Sequence, residues 1–176
     1  MIRFRVYGEP VPQGSMKAFR KKGGPGTIVT HNNEAKLRPW REAVAAEARE
    51  WRKTHPGHPL DEPVAVALTF YVTRPASLPK WRWLPWTGRD LDKQVRSVLD
   101  ALKAIVIRDD SRVVDLAACK RFAGMGLADD APGVVVTVVP LGQWERELTP
   151  DDDEEERRTV AFLRRTIEER EGFVAT

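Results

Sequence analysis

Cysteine is almost missing from this sequence: Cys119 is the only one. That excludes a disulfide framework and any multi-cysteine zinc site. Histidine is nearly as scarce. His31, His55 and His58 have no partner motif around them and suit surface or turn positions. No apolar run approaches the roughly 18 residues of a membrane-spanning helix, so no membrane partner is expected. The opening MIRFRVYGEP lacks a secretory-type apolar core, and a cytoplasmic or nucleoid location is expected. There is no large excess of one charge either. Across 176 residues, 29 Lys+Arg face 26 Asp+Glu, a formal +3. At 41% hydrophobic and 31% charged residues, the chain can fill a core and is too balanced for wholesale disorder. Its length is that of one domain with room for an appendage.

The charge that is present is unevenly placed. Residues 145–176 hold 6 Arg and 11 acids, a balance of −5. The other 144 residues hold 23 basic and 15 acidic side chains, or +8. A basic body points either to a polyanion partner or to ordinary solvated surface.

Periodicity orders the elements. Residues 2–7 (IRFRVY) alternate as a half-buried strand. Residues 8–26 are rich in Gly and Pro and read as one long loop, with Lys17, Arg20, Lys21 and Lys22 around Phe19. A short strand at 27–30 follows. A helix is expected from Pro39, the proline in its first turn, with Trp40, Val44, Ala48 and Trp51 on one face. After a break at 54–61, residues 62–73 alternate Val64, Val66, Leu68, Phe70 and Val72 as a strand. A Pro-rich loop at 74–88 carries Trp81, Trp83 and Trp86 among Lys80, Arg82 and Arg89. Leu91, Val95, Val98 and Leu102, widened by Leu99, give a helix over 91–103. A turn at 109–111 leads to strands at 112–122 and 133–139. Cys119 falls in the first of these as a buried small hydrophobe. Thr149-Pro150 followed by acids starts a last helix, with Val160, Leu163 and Ile167 on its apolar face. The order predicts an α/β (mixed α+β) fold, a single-domain mixed sheet with helices packed on it and an acidic C-terminal helix.

The acids inside the basic body carry the chemistry. Asp90 and Asp92 sit where a loop enters a helix. Asp90 can be an N-cap and Asp92 a first-turn carboxylate, which is a structural role. The two can also converge on a cation. Asp109-Asp110 follows the helix, either as a polar turn or as a second part of one site. It reaches the first pair only if the intervening stretch folds back along the helix. Four clustered carboxylates repel unless a divalent cation is present. Hard oxygen ligands without His or Cys favour Mg²⁺ or Mn²⁺ over Zn²⁺. In a basic protein that set suits attack of water on a phosphodiester, with cationic surface holding the DNA backbone.

The segments Arg89-Asp90-Leu91-Asp92-Lys93-Gln94-Val95-Arg96-Ser97-Val98-Leu99-Asp100-Ala101-Leu102 and Ile107-Arg108-Asp109-Asp110-Ser111-Arg112-Val113-Val114 together resemble the RusA family of Holliday junction resolvases, phage and prophage members in particular. The opening Gly8-Glu9-Pro10-Val11-Pro12-Gln13-Gly14-Ser15-Met16-Lys17 is similar too. The resemblance covers residues 1–141 and leaves 142–176 as an extension. It implies a homodimer that binds branched, four-way DNA and nicks two strands symmetrically with Mg²⁺ (or Mn²⁺), in recombination, repair or phage DNA processing. It implies Asp90, Asp92 and Asp110 as essential acids, with Asp109 supporting. The family's functional lysine corresponds to Arg96, which can hold a phosphate but not serve as a proton donor. Lys93 lies nearby on another helical face.

Around that site, Lys17, Arg20, Lys21, Lys22, Arg89, Lys93 and Lys120 are the expected DNA contacts, the loop lysines otherwise a solubilising patch. Trp81, Trp83 and Trp86 suit core or dimer interface, or stacking on unpaired bases. Glu34-Ala35-Lys36 is discounted as a nuclease triplet because it falls at a helix start. The 151–156 acids read as a helix N-terminus, or as a mimic lying in the DNA groove. Two rivals are a catalytically silent DNA-binding module of the same fold and a sugar-nucleotide transferase with a D-x-D metal site. The short chain disfavours the transferase.

Overall fold

A computed structural model of the chain describes residues 1–14, 16–20, 24–25, 27–31, 33–57, 59–125 and 131–141. The acidic helix expected after Thr149, Lys21, Lys22 and His58 lie outside the described residues.

The elements are β1 (Ile2–Tyr7), β2 (Met16–Arg20), β3 (Thr27–His31), α1 (Glu34–Thr54), β4 (Val64–Val72), α2 (Leu91–Leu102), a 3₁₀ turn (Asp110–Arg112), β5 (Val113–Phe122) and β6 (Gly133–Pro140). A four-stranded sheet runs β1-β6-β4-β5. β6 is antiparallel to both neighbours, and β4 and β5 are parallel. Parallel neighbours need a crossover, and α2 supplies it. The fold is thus the expected mixed sheet with two helices against it.

The core follows from composition. β4 has partners on both edges, and Val64, Val66, Leu68, Phe70 and Val72 are all buried. β6 is a valine run whose β-branched side chains suit a pleated, buried surface. Gly133 opens it because a Cβ there would overlap the Val6 carbonyl of β1. α1 covers the sheet with Leu37, Trp40, Val44 and Ala48, and α2 with Val95, Val98, Ala101 and Leu102. The Trp40 indole N–H donates to Ser97 Oγ at 3.3 Å and ties the helices together. Cys119 is only half-buried, its thiol 3.7 Å from Thr69 Oγ1. Among the described residues no helix is long and apolar enough to cross a membrane.

Two local expectations are corrected. The 8–26 stretch is not one loop. β2 lies inside it and pairs antiparallel with β3 from Met16↔His31 to Arg20↔Thr27. Nor does Pro39 open its helix. α1 begins at Glu34, where the Asn33 carbonyl accepts from Lys36 and Leu37, and Pro39 sits inside. A proline there forfeits a single bond, to Ala35. Burial of Leu37 and Trp40 on either side of it holds the segment helical.

Candidate active site

The loop from β4 to α2 ends in two left-handed residues, Gly88 (φ 68°) and Arg89 (φ 47°). Glycine takes that conformation freely, while arginine needs support. The Arg89 guanidinium pairs with Glu9 and reaches the Pro10 carbonyl at 3.2 Å. The Lys120 ammonium donates to the Arg89 carbonyl at 2.9 Å and the Gly88 carbonyl at 3.4 Å. Glu9 also accepts from the Thr73 N–H at 3.3 Å and from its hydroxyl. Further on, the Gln13 N–H donates to the Lys93 carbonyl at 2.9 Å. Arg41 donates to Gln13 Oε1 at 2.8 Å and pairs with Asp100. The opening Gly8–Gly14 segment is therefore a strap across the start of α2. Glu9, Gln13 and Arg41 escaped sequence reasoning because they act through partners 28 to 80 positions away. The Gly-Glu-Pro-Val-Pro-Gln run was the only signal for Glu9 and Gln13, and Arg41 had none.

Asp90 occupies the N-cap of α2, but its side chain makes no cap bond. It pairs instead with Lys93 at 2.5 Å. That hydrogen bond, with the ammonium's charge and then that of Lys120, holds the Asp90 carboxyl below its ordinary value. Lys93 is raised in turn, first by Asp90, with Asp92 adding to it. At the other end of the helix, Lys103 lies 2.5 Å from Asp109 and 3.5 Å from Asp110. Asp109 caps the 3₁₀ turn by accepting from the Ser111 N–H at 3.0 Å. Lys103 first, then Ser111, holds Asp109 well below the usual carboxylate range. Asp61 anchors the same turn by pairing with Arg108 and Arg112 at 2.6 and 2.8 Å.

Asp92, Arg96 and Asp110 all open onto one cleft of about 430 Å³ between α2 and β5. Its other walls are Leu91, Val95, Leu99, Leu116 and Ala118, with Asp100 at the edge. Arg96 follows Asp92 by four residues and so lies one turn along the same helix face. The stretch after α2 folds back only locally, with the Leu102 carbonyl accepting from residues 105–107. Asp109 and Asp110 therefore stay near Lys103. That residue lies about 16 Å along the axis from Asp92, at about 1.5 Å per residue. Among the described residues, no three His, Cys, Asp or Glu side chains are close enough to hold a metal ion in this conformation. The donor set is purely carboxylate, which fits a hard divalent cation in kind. Within one copy it is divided into two pairs, each already countered by a lysine.

Of the expected DNA contacts, Arg89, Lys93 and Lys120 lie together at the start of α2. Lys17 and Arg20 lie on β2. Arg89, Lys93 and Lys120 have the internal partners described above. Trp81, Trp83 and Trp86 are exposed, which removes the core reading for them.

Comparison with known proteins adds to this geometry. The family description "Endodeoxyribonuclease RusA" matches residues 7–139. The chain belongs to the RusA endodeoxyribonuclease family. A relative in Bacillus subtilis (strain 168), "Uncharacterized protein YqaN", is 32% identical over 132 residues, covering 69% of this chain and 88% of that protein. RusA membership makes the protein a DNA phosphodiester hydrolase of a family that acts on branched, Holliday-type junctions. The RusA match spans both acidic pairs, the strap, all of β4 and β5, and β6 but for Pro140; of β1 it includes only Tyr7.

Proposed function

We propose that this protein resolves four-way DNA junctions as a Mg²⁺-dependent homodimer, making paired symmetric nicks. The supporting observation is the shared cleft of Asp92, Arg96 and Asp110 in a chain of the RusA family. Asp90, Asp92 and Asp110 are the residues to hold the cation, with Asp109 assisting and Mn²⁺ an acceptable substitute. When bound, such a cation acidifies water and neutralises charge at the phosphorus. Arg96 holds the scissile phosphate. An aspartate of the set takes the proton from the attacking water. The water oxygen bonds to phosphorus in line as the bond to the 3′-oxygen breaks, and the 3′-oxygen takes a proton from solvent, leaving a 5′-phosphate and a 3′-hydroxyl.

The division of the acids supports the homodimer. With a two-fold axis perpendicular to α2, the α2 helices of a pair packed along the apolar cleft run antiparallel. The Asp90–Asp92 end of one copy then meets the Asp109–Asp110 end of the other. Val114 and Leu116 leave apolar surface on the β5 edge for such packing.

The test is cleavage of a four-way junction and of linear duplex, with Mg²⁺ and with EDTA. Wild type should cut only the junction and only with Mg²⁺, and Asp92→Asn should bind without cutting. Mixing Asp92→Asn with Asp110→Asn should restore nicking in mixed dimers, where one site regains both wild-type acids, and should restore one Mn²⁺ per dimer. No rescue rules out shared sites. The second reading, a catalytically silent DNA-binding module, is favoured by the lysines that already counter Asp90, Asp109 and Asp110. Junction binding by wild type without cleavage in Mg²⁺ or Mn²⁺ selects it.

A further inference from the structure

Three of the chain's six tryptophans face solvent in one loop beside the candidate site. Trp81, Trp83 and Trp86 are 71%, 63% and 67% exposed. The cleavage chemistry gives them no task. Indoles left in water forfeit large apolar burial, and soluble domains seldom keep such a patch without a partner.

The loop is braced. Arg74 donates to the Leu78 and Pro79 carbonyls at 3.0 and 2.8 Å, and the Arg82 N–H donates to the Pro79 carbonyl at 2.9 Å. Pro75, Pro79 and Pro85 fix the backbone further. Trp81, Arg82, Trp83, Leu84 and Trp86 line an open cleft of about 290 Å³. The Arg82 guanidinium stands 5.4 Å from the Trp81 ring centroid and 4.7 Å from that of Trp86. Its Nε is buried without a hydrogen-bond partner. No acid occurs from Thr73 to Gly88, while Arg74, Lys80 and Arg82 are cationic.

A cleft of π faces and guanidinium matches a ligand that is planar and anionic at once. A nucleobase on its phosphate backbone is such a ligand: the ring stacks on indole and the phosphate meets Arg82 and Lys80. Bases inside a duplex have no free face, so the ligand must be unpaired. Trp86 lies four residues before Asp90, which sets the loop beside the acids. We propose that the 80–86 loop is a stacking platform for unpaired nucleobases, of the kind exposed where the strands of branched DNA part. This rests on the resolvase reading for the DNA involved.

The experiment measures binding alone. The full chain carrying Asp92→Asn is titrated in EDTA against a fluorescent oligothymidylate and an abasic oligomer of equal length. The same is done after Trp81→Ala, Trp83→Ala and Trp86→Ala are combined, and after the corresponding Trp→Phe set. Oligothymidylate should bind at least about tenfold more tightly than the abasic strand. The Ala set should lose that preference, and the Phe set should keep most of it. Equal affinity for both oligomers, or an Ala set that binds like its parent, overturns the proposal. So does loss of binding to anionic vesicles in the Ala set without any oligothymidylate preference, which assigns the patch to a lipid surface. Cleavage is not read, so failure of the nuclease reading leaves this result interpretable.

Discussion

Asp90 stands at a helix N-cap without bonding the helix amides, and its carboxylate goes to Lys93 instead. A cap aspartate normally serves its own helix. Here the carboxylate lies at the surface in a lysine's hydrogen bond, and the helix forgoes a bond it could have used. Arg96 lines the cleft between α2 and β5. Arg96→Lys should keep junction binding within a few-fold, because the charge remains, while Arg96→Ala should lower cleavage by about tenfold or more. Single-turnover nicking and gel-shift affinity, measured separately, check this. The Lys103–Asp109 pair has a defined pH signature. Asp109 is held below its ordinary 3.8, so its contribution to stability is present above that value and lost as pH falls through the lowered one. Lys103 is raised above 10.5, so its contribution is full below that value and lost as pH rises through the raised one. The urea midpoint difference between wild type and Lys103→Met should thus be flat from about pH 5 to about pH 10 and shrink on either side. Both groups are exposed, so the difference is small.

At the scale of elements, α2 is the part on which the site depends, and the strap sets where it begins. Glu9 holds Arg89, Arg89 keeps its left-handed backbone, and Asp90 follows directly. Glu9→Ala should lower cleavage about tenfold with little change in the unfolding midpoint, since Glu9 lies outside the core cluster. Glu9→Gln, which keeps acceptors for Thr73, should retain more. A parallel loss of stability in Glu9→Ala would mean that the strap is merely structural. β4 sets the opposite limit. Phe70 is fully buried at the centre of the sheet, and Phe70→Ala should cost about 3–5 kcal/mol in denaturant unfolding, with folding itself at risk. These elements were legible for physical reasons. The alternation in β4 and the 3–4 spacing in α2 each expose one apolar face, and burial of that face decides the structure. Pro39 and β2 were misread because local signals competed with packing. Leu37 and Trp40 hold a helix through the proline, and a five-pair hairpin orders a stretch that composition marks as loop.

For the whole molecule, charge and symmetry matter most. The +8 body and the −5 segment after residue 144 are facts of sequence, and a basic body steers a polyanion from a distance. Junction affinity should therefore fall steeply with salt. The acids are another matter. The sequence alone determined which residue types are available: carboxylates without His or Cys, an arginine one turn from Asp92, and tryptophans within a basic loop. It determined most of the sheet and both helices as well, because periodicity is local. Only the tertiary structure decided that Asp90–Asp92 and Asp109–Asp110 sit at opposite ends of α2, each with its lysine. Only it showed that the opening strap holds the helix start and that the tryptophans face water. Those are distances between residues far apart in the chain, and they are set by the parallel β4–α2–β5 crossover and the burial behind it, which no local pattern encodes.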